Sequence, residues 1–229
     1  MAASPPLAAK TPPRARTGSH LSRERWVQIL EVATRLFRAK GFSATSMQDV
    51  SDEVGLHKGS LYYYVRSKEE LLFEVLRDLH ANGLEIIESV RFGSEDPLAE
   101  LHQYLRQLTI YAGQQRARLA IYGRDFRFIA PTQQKQIIAE RDMYETVAFR
   151  LIEEAKARRH VDASIDSKVA SHSILGSTAV THEWYRPEGP IGLEHIAEQV
   201  AATIVSGLRH ASVARGAKRA QRDQPTSDT

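Results

Sequence analysis

The chain has 229 residues, 31 Lys and Arg against 28 Asp and Glu, a net charge of +3 and no cysteine. That length suits one large domain or two modest ones. The missing thiols exclude disulfides and thiolate metal sites and suit a reducing cytoplasm, and the charge is too small to demand nucleic acid by itself. No apolar run approaches the roughly 20 residues that cross a bilayer.

Pro5, Pro6, Pro12 and Pro13 break up residues 1–20 and deny a secretory leader its apolar core; the composition is compatible with a transit peptide, but the prolines disfavour the amphipathic helix such peptides use. The segment reads as a disordered basic arm carrying Lys10, Arg14 and Arg16. The first helix is predicted after Ser22 as N-cap, with Trp26, Val27, Leu30, Ala33, Leu36 and Phe37 as its buried stripe and Gly41 as its stop. Thr45 with Gln48 three residues on predicts a capping box for the second helix, which turns its Met47, Val50 and Val54 inward. Gly55 then supplies a turn. A short third helix follows over about 58–65, with Leu61 and Tyr62 inward and Lys58, Ser60, Tyr63 and Tyr64 outward. Ser67 and Glu70 form a second capping box for a fourth helix reaching about Val90.

The remaining chain reads as helical almost throughout. Asp96-Pro97 places an N-cap before a proline at the first helical position. Leu98, Leu101, Leu105 and Leu108 follow at helical spacing, and Gly113 is the predicted end of that helix. A short segment runs to about Phe128, and Pro131 opens a long helix to about Arg159. Asp166 caps the next helix, which runs to Trp184, and Leu193, Ile196, Val200, Ile204 and Leu208 mark the last. No alternating strand pattern and no repeat occurs, so the expected fold is all-α with about nine helices.

The stretch from Gly41 to Leu72 is the informative one. Two short helices around a glycine turn, followed at once by a longer helix, are helix-turn-helix grammar. A helix enters the major groove only if its outer face is slim and tipped with donors. Gly59 and Ser60 keep the third helix slim, while Lys58, Tyr63, Tyr64 and Lys68 surround it with donors. The capped starts of the second and fourth helices offer backbone amides to phosphates.

On these residues the segment from about Val27 to Leu72 resembles the N-terminal domain of TetR-family transcriptional regulators. The matching positions are Gly41-Phe42, Thr45-Ser46, Asp49-Val50, Val54-Gly55-Leu56, His57-Lys58-Gly59-Ser60-Leu61-Tyr62-Tyr63-Tyr64-Val65 and Ser67-Lys68-Glu69-Glu70-Leu71. The resemblance implies a homodimeric DNA-binding repressor, with the second and third helices on palindromic operator DNA. By position it implies that Thr45, beside Ser46, caps toward phosphate and that Lys58 meets phosphate or guanine. Gly59 and Ser60 become the close-approach residues, Tyr63 the base reader, Tyr64 a phosphate-binding aromatic and Lys68 a backbone anchor. His57 departs from the Ser or Thr usual there; it caps poorly and is itself a candidate DNA contact.

The same resemblance divides the chain into a basic arm (1–20), a helix-turn-helix domain (21–66), a helical regulatory and dimerisation domain (67–211) and a basic tail (212–229). The last two helices are its dimer face, where Ala197 and Ala201 permit close approach. The box Glu183-Trp184-Tyr185-Arg186-Pro187-Glu188-Gly189-Pro190 is similar to one in regulators of fatty-acid and steroid-ring breakdown that sense acyl-CoA thioesters. Its simpler role is structural, with Trp184 filling space and Arg186 reaching nearby carbonyls. Tyr104, Leu108, Tyr111, Tyr122, Phe126, Tyr144 and Trp184 are candidate walls for an effector, and Arg124 and Arg127 candidate partners for its anionic end. An aromatic or drug-like effector linked to efflux, or a DNA-binding dimer with no effector, are the alternatives. The scattered histidines form no catalytic or metal pattern, so neither enzyme activity nor a cofactor is expected.

Overall fold

The computed structural model describes residues 20–212, so all but the edges of the basic arm and tail lie outside the described residues. Among those described, every regular element is helical: α1 (His20–Lys40), α2 (Met47–Val54), α3 (Lys58–Tyr64), α4 (Lys68–Glu88), α5 (Pro97–Gln114), α6 (Arg116–Asp125), a 3-10 turn (Phe126–Phe128), α7 (Pro131–Ala157), α8 (Ser167–Ala179), the single-turn α9 (Thr181–Trp184) and α10 (Leu193–His210). None of them is long and apolar enough to cross a membrane.

The chain forms two compact units, and they do not follow the expected boundary at residue 66. The first holds the described residues up to Glu85, Tyr111–Asp142 and His182–Trp184. Its core joins Ile29, Leu30, Ala33, Leu36 and Phe37 of α1 to Val50, Val54 and Leu61, and then to Leu71, Leu72, Val75 and Leu76 of α4 and to Ile121, Ile129 and Ile137. The start of α4, α6 and the first half of α7 thus complete the core beneath α1–α3. Val27 is 48% exposed rather than part of the α1 stripe, because one residue past Trp26 turns the helix by about 100°.

Two glycines shape this unit. Gly41 ends α1 at φ 87° and Gly55 ends α2 at φ 72°, in the left-handed region that L side chains enter only with strain.

The second unit holds Ile86–Ile110, Met143–Thr181 and the described residues from Tyr185 onward. Leu98, Leu101, Tyr104 and Leu105 of α5 pack there with Val147, Leu151 and Ile152 of α7, Ile174 of α8 and Ala201, Val205 and Leu208 of α10. Both sequence-predicted caps are present. The Asp96 carboxylate accepts from the Leu98 and Ala99 amides, each at 3.1 Å, and Asp166 accepts from those of Lys168 and Val169 at 2.9 and 3.1 Å. Gly113 does not end α5, which runs on to Gln114.

Ala197 and Ala201 are fully buried within the chain. They serve its own packing and are not open to a partner helix as the sequence reading expected. The outward face carries Gly176 and Ser177 on α8 and Ala202, Thr203, Ser206 and Gly207 on α10.

Candidate nucleic-acid interface

The start of α2 is fixed one residue later than the Thr45 box predicts. Ser46 is the N-cap: its hydroxyl accepts from the Asp49 amide at 3.1 Å, and the Asp49 carboxylate accepts from the Ser46 amide at 2.7 Å. Lys40 reaches the same carboxylate at 3.2 Å. The Ser46 hydroxyl and amide, with Lys40, hold the Asp49 carboxyl at about 2, well below the ordinary range. Gln48 instead donates to Asp52 at 2.7 Å. Thr45 is 1% exposed and gives its hydroxyl to the Gly41 carbonyl at 2.8 Å. Its side chain is therefore turned into the chain, and Ser46 occupies the exposed position expected of Thr45.

A Ser46→Ala variant is expected to lose about 1 kcal/mol of stability, the usual worth of such a cap, while Gln48→Ala loses little. Thermal melting of the two variants checks this. Protonating Asp49 acts the same way. A carboxyl depressed in the folded state contributes stability above its unfolded value near 3.9, and that stability is lost as the pH falls toward about 2.

On α3, His57 stands at the N-cap with extended backbone and makes no side-chain cap, as its chemistry predicts. Leu61 and Val65 are buried and anchor the helix. Lys58, Gly59, Ser60, Tyr62 and Tyr63 are exposed, Tyr63 the most at 70%. Tyr62 and Tyr64 exchange their expected burial. Tyr62 is 43% exposed, whereas Tyr64 is half-buried and stacks on Trp26 with ring centroids 6.2 Å apart and planes 11° from parallel. Leu61 fixes the inward direction. Its helical neighbours are the residues three and four further on, Tyr64 and Val65, and not Tyr62. Tyr63 meets the edge of Tyr64 at 5.7 Å, so the packed ring braces the exposed one.

At the start of α4 the Ser67 hydroxyl accepts from the Glu70 amide at 3.1 Å, but Glu70 reaches back to the Arg66 amide at 2.6 Å rather than to that of Ser67. Lys68 turns away from the α3 surface. Its ammonium donates to the carbonyls of Phe42, Ser43 and Thr45 at 2.9, 3.3 and 2.7 Å. Asp49 and the groups around Lys68 escaped the sequence reading; the overlapping Ser46-x-x-Asp49 pattern was the available signal for the first, and nothing local signals the second.

The candidate effector residues are divided between the units. In the second, Tyr104 and Leu108 are buried core residues, and the Tyr104 hydroxyl donates to the Tyr144 carbonyl at 2.9 Å. In the first, Tyr111 donates to the Leu79 carbonyl, and Tyr122 packs against Phe126 at 5.1 Å and edge-on to His80 at 5.8 Å. Arg124 is not free for an anion, since it binds Asp125 and donates to the Phe37 carbonyl at 2.6 Å. Arg127 lies over the Phe128 ring at 5.0 Å. Trp184 is 48% exposed, and Arg186 donates to the neighbouring Tyr185 carbonyl at 3.0 Å.

α4 also carries two buried ionisable groups, Glu74 and His80. Glu74, 3% exposed, pairs with Arg77 at 2.5 Å, and burial pushes its carboxyl above the ordinary range. Burial, assisted by the Arg141 charge, pushes the His80 imidazole down to about 4.

A buried anchor, a slim exposed donor face and a capped helix before it define a helix-turn-helix regulator on an all-helical scaffold. The chain belongs to the TetR family: residues 29–75 match the model for bacterial regulatory proteins of the tetR family, and residues 94–208 that for the tetracyclin repressor-like C-terminal domain. It is 30% identical over 195 residues to the HTH-type transcriptional repressor KstR2 of Mycobacterium tuberculosis H37Rv, covering 79% of this chain and 91% of that protein. A TetR/AcrR-family regulator from Thermobifida fusca is 29% identical, with a TM-score of 0.65 over 80% of this chain and 98% of that one. AibR in complex with isovaleryl coenzyme A and operator DNA shares the fold, with a TM-score of 0.69 at 23% identity over 80% and 97% of the two chains.

Proposed function

We propose that this chain is a homodimeric repressor that binds a palindromic operator through α3 and is released by a small effector, a coenzyme A thioester. The observation that carries the DNA part is the outer face of α3, where Gly59 and Ser60 leave the backbone accessible beside Lys58 and the exposed Tyr62 and Tyr63. Lys58 supplies charge toward phosphate or guanine and Tyr63 the variable side-chain reading. One such short helix makes few contacts. Two of them set about 34–36 Å apart read successive major grooves, and the outward small residues of α8 and α10 suit the pairing of two copies.

The effector reading is supported by the Trp184–Pro190 box, by the KstR2 likeness and by the isovaleryl coenzyme A carried by the AibR fold relative. An effector acts only by favouring the DNA-incompetent state over the competent one. Melting with isovaleryl coenzyme A, longer acyl-CoAs, free acids and cationic drugs, paired with operator release, tests it. A thioester that raises the melting temperature and dissociates the complex is the expected result. A response to cationic drugs alone would indicate a drug sensor, and no response to any of them a regulator without an effector.

A further inference from the structure

The carbonyls of the last turn of α1 and of the α1–α2 junction are held by side chains, two of them from other helices of the first unit. Thr45 donates to the Gly41 carbonyl at 2.8 Å. From α6, Arg124 donates to the Phe37 carbonyl at 2.6 Å while its Nε and Nη2 grip Asp125 at 3.0 and 2.7 Å. Asp125 is itself only 3% exposed. From the first residue of α4, the Lys68 ammonium donates to the Phe42, Ser43 and Thr45 carbonyls and stands 4.5 Å from the centroid of the Phe42 ring. That ring is also packed by Phe37 at 5.5 Å and by Phe128 at 5.0 Å.

An ammonium has three N–H donors, and here each has a carbonyl acceptor. A phosphate would have to displace one of them. We propose that Lys68 and Arg124 are positioning residues that clamp the α1–α2 junction from two sides and set the attitude of α2 and α3 on DNA, with neither cation contacting phosphate. This rests on the DNA-binding reading and departs from the backbone contact that resemblance implies for Lys68. The geometry gives the clamp its consequence. A shift of the α4 start by 1 Å or so stretches these hydrogen bonds beyond useful length, so α2 must follow α4 or the clamp must open.

The test uses the full chain and an operator that the wild-type protein selects from random duplex DNA. Affinity for that operator and for a scrambled duplex is measured across a salt series, below each variant's melting temperature. The decisive variant is Lys68→Arg. A planar guanidinium keeps the charge but cannot converge on one point as an ammonium does. The clamp predicts operator affinity lower by about tenfold, the worth of roughly one base pair's readout, with scrambled affinity and salt slope unchanged. Arg124→Gln, on α6, should show the same pattern. Should K68R bind operator as well as wild type, or should Lys68→Gln weaken both duplexes alike with a shallower salt slope, Lys68 is a phosphate contact and the proposal fails. Unchanged discrimination in R124Q removes Arg124 from it. A wild-type chain that selects no operator overturns the DNA reading instead, before any variant is made.

Discussion

Lys58→Ala is expected to weaken binding to every DNA sequence by roughly 30-fold. A dimer would carry the change twice, and each solvent-exposed ion pair is worth up to about 1 kcal/mol, with about 1.4 kcal/mol to a factor of ten. The slope of log affinity against log salt should become shallower by about 2, because each phosphate neutralised releases close to one counterion. Stability should hardly change, since Lys58 is exposed and surface substitutions usually fall within about 0.5 kcal/mol. A salt titration on operator and random duplexes measures all of this. An unchanged slope with unchanged affinity would remove Lys58 from the interface. Exchanging Tyr63 should leave the slope alone and alter which operator is preferred.

The second large effect is acid lability through His80. Its imidazole is held at about 4 in the folded chain by burial and then by Arg141, against about 6.5 when unfolded. The unfolded chain therefore binds more protons between those values, so stability falls as the pH drops from about 6.5 to about 4 and is fully present above that window. At about 1.36 kcal/mol per unit the total is about 3 kcal/mol. Glu74 and Glu140 work in the opposite sense, because burial raises both carboxyls and folding then gains as they protonate. The informative quantity is thus the difference between wild type and His80→Gln in denaturant melts from pH 4 to 8. The variant should lose the His80 slope. Parallel curves would mean that His80 keeps an ordinary titration in the folded chain.

Much of the scaffold was legible because its signals are local. Asp96-Pro97, Asp166 and Pro131 announce helix starts through cap chemistry that needs only adjacent residues, and the structure follows each of them. Where two local signals overlap, the sequence leaves a choice. Thr45-x-x-Gln48 and Ser46-x-x-Asp49 are both capping boxes, and the second prevails because Thr45 is drawn inward to the Gly41 carbonyl. The Tyr62–Tyr64 exchange was readable in principle from the spacing to Leu61 and was missed by weighing each tyrosine separately. Lys68 and Arg124 were not readable at all. A cation's partner is decided by chain brought in from far away, 87 positions in the case of Arg124 and Phe37. Ala197 and Ala201 show the same limit, since a small residue suits an internal helix contact as well as a contact with a second copy.

The interleaving of the first unit bears on how the protein is made. The DNA-reading helices are complete in sequence by Tyr64, yet the core beneath them takes in Ile121, Ile129 and Ile137. During synthesis, at about 5–20 residues per second, α1–α3 leave the ribosome several seconds before the residues that close their core. Over that interval the nascent chain exposes the apolar flank of α1 and α4 that α6 later covers. A helix-turn-helix fragment ending near residue 66 would lack α4 as well and leave the apolar flank of α1 open permanently. The reading helices are therefore expected to reach their packed form only after α6 and the start of α7 have been made.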